Sequence, residues 1–147
     1  IGFIFQQYNL ISYLTGLENI ELAMTETDNS IPKNQKEVAY ALLEKFGIVK
    51  SKADRLVTKL SGGEQQRVAI ARAIASNVDL IFADEPTGNL DEENEQRVLD
   101  LLTDLHRQGR TIVMVTHNPA LGQFADRILR LQHGKYLGEE ANQHALA

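Results

Sequence analysis

Two segments of this sequence contain residue types that could act on a phosphate group. Ser61 is followed by two glycines and then by residues with helical composition. A helix that begins with glycines offers unobstructed backbone N–H groups, and the positive end of its dipole, to an anion. Further along, the apolar run 80–83 ends in the adjacent carboxylates Asp84 and Glu85. Such carboxylates can hold Mg²⁺ and polarise a water molecule for attack on a phosphate.

Each segment also has a plain structural explanation when it is taken alone. An acidic loop after a core strand would account for Asp84 and Glu85, and a glycine-rich turn with a good N-cap would account for the start of the helix. Neither explanation covers the flanking residues, because an apolar run precedes the carboxylates and Pro-Thr-Gly-Asn-Leu-Asp follows them at 86–91. A glycine-rich turn with an N-cap likewise does not account for the whole block from Leu60 to Arg72.

Three further residues are candidates only because of what surrounds them. Gln6 follows a short apolar strand, Asp91 precedes an acidic helix start, and His117 follows a second apolar strand at 111–115. Each of these residues alone is an ordinary loop, cap or strand-end residue. The position of His117 makes it a candidate contact for a γ-phosphate and for Glu85.

Apolar periodicity predicts the elements that must hold these residues. Strands that alternate with helices indicate an α/β fold with a parallel sheet, and continuous apolar runs are typical of strands buried on both faces. Thr15 and Glu18 have the spacing of a capping box, as do Ser61 and Glu64. The predicted strands are 1–5, 80–83 and 111–115; the predicted helices are 15–24, 35–46, 61–74 and 91–108; a polar loop is predicted at 25–36, a hairpin at 127–136 and a polar tail at 139–147.

Two predicted helices have an apolar stripe. In the first, the stripe is formed by Val38, Ala41, Leu42 and Phe46, and Gly47 would stop the helix. In the second, whose stop is Gly109, the stripe is formed by Val98, Leu101, Leu102 and Leu105.

Composition limits the class of protein. A chain of 147 residues suffices for one domain or for part of one, and its formal net charge of −5 argues against a nucleic-acid partner. No apolar run approaches the roughly 20 residues that span a bilayer, so any membrane contact would come through a partner. The sequence starts inside an apolar run, and methionine occurs only at positions 24 and 114. We therefore interpret it as a fragment whose upstream part is absent.

In their order along the chain, these segments resemble the motifs of ATP-binding-cassette (ABC) ATPases. The amino-acid sequences of Gly2–Gln6, Leu17–Ile20 and Asp84–Asp91 are similar to those of the branch that contains macrolide exporters and lipoprotein-release ATPases. The corresponding motifs are the Q-loop at Phe5-Gln6, the signature at Leu60–Gln65, Walker B at Leu80–Asp84, the catalytic base at Glu85, the D-loop at Asn89–Asp91 and the switch histidine at His117.

The resemblance implies a partial P-loop NTPase fold and a subunit that binds and hydrolyses ATP with Mg²⁺. It implies two ATPase subunits that close on two ATP molecules, each nucleotide lying under the signature of the other subunit. Closure would drive a membrane permease that docks near Gln6, with the ATPase peripheral to the cytoplasmic side of the membrane. The implied roles are catalysis for Glu85 and His117, Mg²⁺ binding for Asp84 and Gln6, and nucleotide binding for Gln6, Ser61, Gly62, Gly63, Glu64 and Asp91.

The chain departs from the family pattern at two points. Glu64 stands where glutamine is commoner, and the phosphate-binding sequence G-x-x-x-x-G-K-[ST] does not occur. We therefore expect residues 1–147 to be part of a cassette domain, with a core strand at 1–5, the Q-loop, helical subdomain and signature helix at 6–76, the Walker B to switch-histidine core and hairpin at 77–138, and a tail at 139–147. Alone, this chain is expected to hydrolyse negligible ATP and to be poorly soluble or partly molten.

Two other functions remain as alternatives. The chain could be a non-enzymatic module that binds a permease or an intact ATPase through the Gln6 face and the signature. It could also be an ABC-type ATPase that works on ribosomes or DNA, but the acidic net charge and the sequence Gly-Asn-Leu-Asp at 88–91 weigh against that hypothesis.

Overall fold

The computed structural model describes residues 1–25 and 34–142. The polar loop predicted at 25–36 falls mainly on residues 26–33, which lie outside the described part. Gln35 and Lys36, which the predictions included both in that loop and in the following helix, belong to the helix.

A three-stranded parallel sheet organises residues 1–115. Its strands are β1 (Gly2–Phe5), β2 (Leu80–Asp84) and β3 (Thr111–Val115), in the order β1-β2-β3. The three strands end in register, since Asp84 pairs with Phe5 on one side and with Val115 on the other. The predicted α/β class with a parallel sheet is therefore confirmed.

The apolar runs are typical of strands covered on both faces, and in this chain only one face of the sheet is covered. Burial alternates along them, so that Ile4, Ile81 and Ala83 are buried while their neighbours in sequence are not. The exposed face is formed by Phe3, Phe82, Val113 and Val115. The ring of Phe3 stacks on that of Phe82 with 5.9 Å between centroids. A continuous apolar run does not reveal whether one face or both are packed, so the sequence could not distinguish the two cases.

Four helices pack beside and on the covered face. They are α1 (Gly16–Thr25), α2 (Gln35–Lys45), α3 (Lys50–Ala53) and α4 (Gly62–Ala75). The predicted capping box at the start of α1 is present, because the backbone N–H of Glu18 donates to Thr15 Oγ1 at 3.1 Å and that of Thr15 donates to Glu18 Oε1 at 3.0 Å. Within the described ranges, no helix is both long and apolar enough to cross a bilayer.

The buried face of α2 lies one residue away from the predicted stripe. Ala39, Leu43 and Phe46 are buried, whereas Val38 is 39% exposed. Both sets of residues satisfy a helical period, and only the packing of α2 against α1 and α4 selects between them. Gly47 ends the helix as predicted, with φ +78°.

Helix α5 (Glu92–Arg107) follows β2 and precedes β3. Three of the four residues predicted for its apolar stripe are buried, namely Val98, Leu102 and Leu105, and Leu101 is partly buried. Gly109 ends the turn after α5 with φ +98°. Its acidic first turn complements the positive end of the helix dipole.

Residues 116–142 form a separate compact unit, and residues 143–147, where most of the predicted polar tail falls, lie outside the described part. Its antiparallel hairpin comprises β4 (Arg127–Gln132) and β5 (Lys135–Ala141). The two turn residues His133 and Gly134 have φ +50° and +73°, the conformation of the tight turns that suit a right-handed strand twist. The hairpin is longer than predicted, and residues 139–141 belong to β5 rather than to a tail, because Glu139 and Glu140 pair with Arg127 and Arg130.

Candidate functional site

Asp84 lies at the middle of the carboxyl edge of the sheet. It is the last residue of β2, between Phe5 of β1 and Val115 of β3. Gln6 directly follows Phe5, so the parallel register brings it to the same edge. Open α/β sheets bind their ligands beyond the carboxyl ends of their strands. The structure thus places two of the predicted site residues at the edge where a ligand is expected.

Glu85 has a constrained backbone. Its φ is +45°, a value that is uncommon for a residue with a long side chain and disfavoured before a proline. Two hydrogen bonds hold this peptide: the Glu85 N–H donates to the Val115 carbonyl at 2.8 Å, and the Gly88 N–H donates to the Glu85 carbonyl at 3.2 Å. Strain of this kind persists where the surroundings enforce it, and it is concentrated at functional sites.

The Gln6 side chain lies against residues 88 and 89. Its Nε2 donates to Asn89 Oδ1 at 3.2 Å, and Asn89 Nδ2 donates to the Gln6 carbonyl at 3.3 Å. A Cβ at Gly88 would lie 2.6 Å from Gln6 Nε2, so any other residue there would displace the Gln6 side chain from this position. The sequence did not identify Asn89 as the partner of Gln6, because the two residues are 83 positions apart and only the fold joins them.

The residues at this edge suit Mg²⁺ in one respect. Over residues 1–25 and 34–142, no group of three or more His, Asp or Glu side chains is arranged to hold a metal ion. Mg²⁺ in nucleotide sites commonly takes one or two protein carboxylates and completes its shell with water and phosphate oxygens. The carboxylate of Asp84 fits that requirement, and Gln6, whose Nε2 donates to Asn89, can offer its Oε1 as a further oxygen ligand.

The start of α4 is capped as predicted. The Glu64 N–H donates to Ser61 Oγ at 3.1 Å, and the Ser61 N–H donates to Glu64 Oε1 at 3.0 Å. A Cβ at Gly62 would lie 2.8 Å from the Tyr8 hydroxyl, and one at Gly63 would lie 2.2 Å from Asn94 Oδ1. A larger residue at either position would therefore displace the side chain of Tyr8 or Asn94, so the two glycines suit the packing within this chain.

Asp91 connects α5 to the start of α4. Its Oδ1 accepts from the Asn94 N–H at 2.9 Å and from Asn94 Nδ2 at 2.8 Å. The side chain of Asn94 in turn contacts Gly63. Asp91 caps α5 as the sequence allowed, and Asn94, which the sequence analysis did not single out, places that cap beside the glycines.

Glu64 is ionised and paired within the chain. Burial alone would raise the pKa of its carboxyl, but hydrogen bonds from Lys52 and from the backbone and hydroxyl of Ser61 hold the pKa at about 2. Lys52, on α3, forms an ion pair with Glu64 Oε2. The negative charge at this helix start is thus balanced by a lysine that the sequence analysis did not connect with it.

The pKa of Glu64 predicts a dependence of stability on pH. A carboxyl whose pKa falls from about 4.5 to about 2 on folding stabilises the protein above pH 4.5, and that contribution is lost as the pH falls towards 2. Because Lys52 is 40% exposed, we expect Lys52→Met to lower the free energy of unfolding by only about 1 kcal/mol at pH 7, and by less at pH 3. Urea titrations at both pH values would measure the difference.

The exposed pair Arg97–Glu93 on α5 provides the control. Arg97→Met is expected to cost no more than about 0.5 kcal/mol at either pH. Equal costs for Lys52→Met and Arg97→Met at pH 7 would contradict the assigned role of the Lys52–Glu64 pair.

Three more side chains of α4 hold the surrounding loops, and the sequence analysis gave none of them a role. Gln66 is fully buried and donates to backbone carbonyls beside Gln6 and Glu85. Arg67 donates to the Phe46 carbonyl at 3.3 Å, and burial lowers its pKa. Arg72 donates to the carbonyls of residues 8 and 9, both of which have positive φ. The only indication of a role for them in the sequence was that residues 60–72 as a whole resemble the signature region of the family.

His117 belongs to the unit 116–142 and follows β3 by two residues. Its predicted contact with a γ-phosphate and with Glu85 stays a prediction.

Comparison with known proteins agrees with this arrangement. Residues 1–88 match the ABC transporter family. An uncharacterized ABC transporter ATP-binding protein of Mycobacterium tuberculosis is 52% identical over 141 residues, which cover 93% of this chain and 55% of that protein. The macrolide export ATP-binding/permease protein MacB of Haemophilus ducreyi is 44% identical over 96% of this chain and 20% of its own length. The chain thus spans little more than half of the first relative and a fifth of the second.

Solved structures give the same result. The dimeric post-hydrolysis state of the ATP-binding cassette MJ0796, bound to ADP and Pi, is similar with a TM-score of 0.84 and 38% identity, over 97% of this chain and 62% of that one. A dimeric structure of MJ0796, a bacterial ABC transporter cassette, has a TM-score of 0.85 and 39% identity. The parallel sheet of this chain, its glycine-started helix and its edge carboxylates are therefore part of an ABC ATPase fold, and the chain belongs to the ABC transporter family.

Proposed function

We propose that the natural protein containing this chain is the ATP-hydrolysing subunit of an ABC transporter, which closes as a dimer on ATP to drive a membrane permease. The observation that carries the proposal is the sheet edge, where Asp84 ends β2 and Glu85 is held in a left-handed backbone conformation. Membership of the family supports the reaction class.

The roles of the edge residues follow from their chemistry. Asp84 would hold Mg²⁺, which supplies positive charge to the phosphates when it is bound. Glu85 would take a proton from the water that attacks the γ-phosphate. Gln6, placed by Asn89 at the same edge, would contact the metal and nucleotide, and His117 would contact the γ-phosphate. Attack by this water ends with ADP and inorganic phosphate.

The start of α4 would serve a different nucleotide. Ser61, Gly62 and Gly63 would contact ATP held by the partner subunit, while Glu64 and Asp91 would set the position of this helix start. Two of the similar solved structures are dimers, one of them bound to ADP and Pi. That likeness supports a dimer with shared sites for this protein.

The partners follow from the same proposal. The chain would contact a second ATPase subunit at the start of α4 and an integral-membrane permease near Gln6. The similarity to macrolide export ATP-binding/permease proteins supports a permease partner. The subunit would lie at the cytoplasmic side of the membrane and touch it only through the permease.

The isolated 147-residue chain is a separate case. Its sequence contains no G-x-x-x-x-G-K-[ST], the segment that wraps the phosphates in P-loop NTPases. We expect residues 1–147 alone to hydrolyse no ATP at a measurable rate. This feature favours a second candidate function for a protein limited to these residues, namely a non-enzymatic module that binds a permease or an intact ATPase.

Gly63→Asp tests the proposed dimer. The new carboxylate would meet Asn94 and would place negative charge at the helix start that should receive a phosphate. In the natural protein we expect ATP-dependent dimerisation to weaken at least about tenfold. Light scattering coupled to size exclusion, with and without ATP, would measure it.

The variant Gly63→Asp/Asn94→Ala separates the added charge from the steric conflict. If ATP-dependent dimerisation stays weak in this variant, the added charge is responsible. Full recovery would show that packing against Asn94 caused the loss and would contradict an anion site at the start of α4.

A further inference from the structure

Gln66 is a fully buried amide on α4 that contacts the backbone on both sides of the carboxyl edge. Its Nε2 donates to the Phe5 carbonyl at 3.2 Å and to the Pro86 carbonyl. Phe5 directly precedes Gln6, and Pro86 directly follows Glu85. One side chain therefore joins the two segments that place the proposed catalytic and nucleotide-binding residues.

The chemistry of the contact fixes the orientation of this amide. Both neighbours are carbonyl oxygens, so only the NH₂ group can face them. The oxygen Oε1 of Gln66 is then buried without a hydrogen-bond partner among the described residues. A buried acceptor without a donor is unfavourable. The hydrogen bonds of Nε2 stabilise the fold, whereas the buried and unpaired Oε1 destabilises it. Because the two effects oppose each other, stability alone gives little reason for a glutamine at this position.

The backbone of Glu85 shows what the contact can do. With φ +45° before a proline, this residue is held away from the extended conformation that such a position prefers. Its own N–H and carbonyl are bonded to Val115 and Gly88. The next carbonyl along the chain, that of Pro86, is the one that Gln66 holds. If that carbonyl were released, Glu85 could relax and turn its carboxylate away from the edge.

We propose that Gln66 is a positioning residue, which holds Glu85 in its orientation for hydrolysis from the same helix whose start would face the nucleotide of the partner subunit. The inference rests on the proposed ATPase function. Gln66 does not touch the reacting groups, since its contacts are to backbone carbonyls on either side of them.

The test is Gln66→Met in the natural protein, because methionine keeps the shape of the side chain and removes the amide. We expect kcat for ATP hydrolysis to fall about 10- to 100-fold, with the ATP concentration for half-maximal rate changed less than about threefold. ATP-dependent dimerisation should be retained. If the side chain had a purely structural role, its loss would not lower kcat while leaving half-saturation by ATP and dimerisation nearly unchanged.

Asn19→Leu is the matched control. Asn19 on α1 is another buried amide, 1% exposed, and it bonds only to the backbone of residues 11 and 15. We expect this variant to lower the melting temperature at least as much as Gln66→Met, while kcat stays within about twofold of the wild type. Equal kcat values for the two variants, measured well below both melting temperatures, would overturn the inference.

A second variant keeps the test decisive if Gln66→Met does not fold. Gln66→Asn retains the amide but is one methylene shorter, so it cannot reach both carbonyls. We again expect kcat to fall while the ATP concentration for half-maximal rate changes little. Unchanged kcat in Gln66→Asn would overturn the positioning role. The proposed function fails separately, and takes the inference with it, if Glu85→Gln leaves ATP turnover intact.

Discussion

Glu85→Gln in the natural protein is expected to lower ATP turnover about a thousandfold. Glutamine has the same shape but cannot accept a proton from the attacking water at neutral pH. The backbone that holds residue 85 is bonded to Val115 and Gly88 through main-chain groups, so the substitution leaves the geometry of the edge unchanged. Asp84 and the start of α4 are also unchanged, and ATP-dependent dimers should therefore accumulate. Phosphate release and light scattering in ATP would measure the two effects.

The control for this variant is Glu93→Gln on the exposed face of α5. It removes a carboxylate that, among the residues the structure describes, pairs with Arg97 on the same helix, and turnover should stay within about twofold of the wild type. Turnover by Glu85→Gln within tenfold of the wild type would contradict the assignment of Glu85 as the general base.

The second large effect concerns the isolated chain of residues 1–147. One face of its sheet exposes Phe3, Phe82, Val113 and Val115. A contiguous apolar patch on a sheet favours self-association. At micromolar concentration we expect most of the isolated chain to sediment as oligomers or aggregates. Analytical ultracentrifugation over a concentration series would measure the fraction of monomer.

Two valines of equal exposure allow a matched test of that expectation. Val113 on the sheet face and Val38 on α2 are both 39% exposed. Val113→Thr keeps a β-branched side chain on the strand and should increase the monomer fraction severalfold. Val38→Thr should leave the fraction unchanged. A monodisperse wild-type chain with a sharp cooperative melt would refute the prediction.

Local sequence signals predicted the elements of this fold well. The capping residues Thr15, Ser61 and Asp91 and the stop at Gly47 mark real helix ends, because caps depend on neighbouring residues. Helix faces were less certain. Val38 was predicted to be buried and Ala39 is buried instead, since the choice depends on which helices pack against α2.

The candidate site was predictable in its residue types and less so in its contacts. The edge position of Asp84 follows from an apolar run that ends in a carboxylate, and the parallel register confirms it. The contacts of Gln6 with Asn89, of Gln66 with Pro86 and of Lys52 with Glu64 join residues that are far apart in sequence or lie on different elements. No local pattern identifies such pairs.

The central claim is that the carboxylate edge and the start of α4 in one chain serve two different nucleotides. The most direct test mixes two variants of the natural protein that should each lack turnover: Glu85→Gln, which loses the general base, and Gly63→Asp, which loses ATP-dependent dimerisation. In a mixed dimer both defects fall on one site, and the other site combines an intact Glu85 with an intact signature.

We predict that the mixture recovers ATP turnover, up to about a quarter of the wild-type rate if dimers form at random. The double variant Glu85→Gln/Gly63→Asp mixed with an inactive single variant should recover nothing, since no combination then yields an intact site. Turnover of the two-variant mixture that stays at the mean of its inactive components would contradict the claim that each chain contributes to two sites.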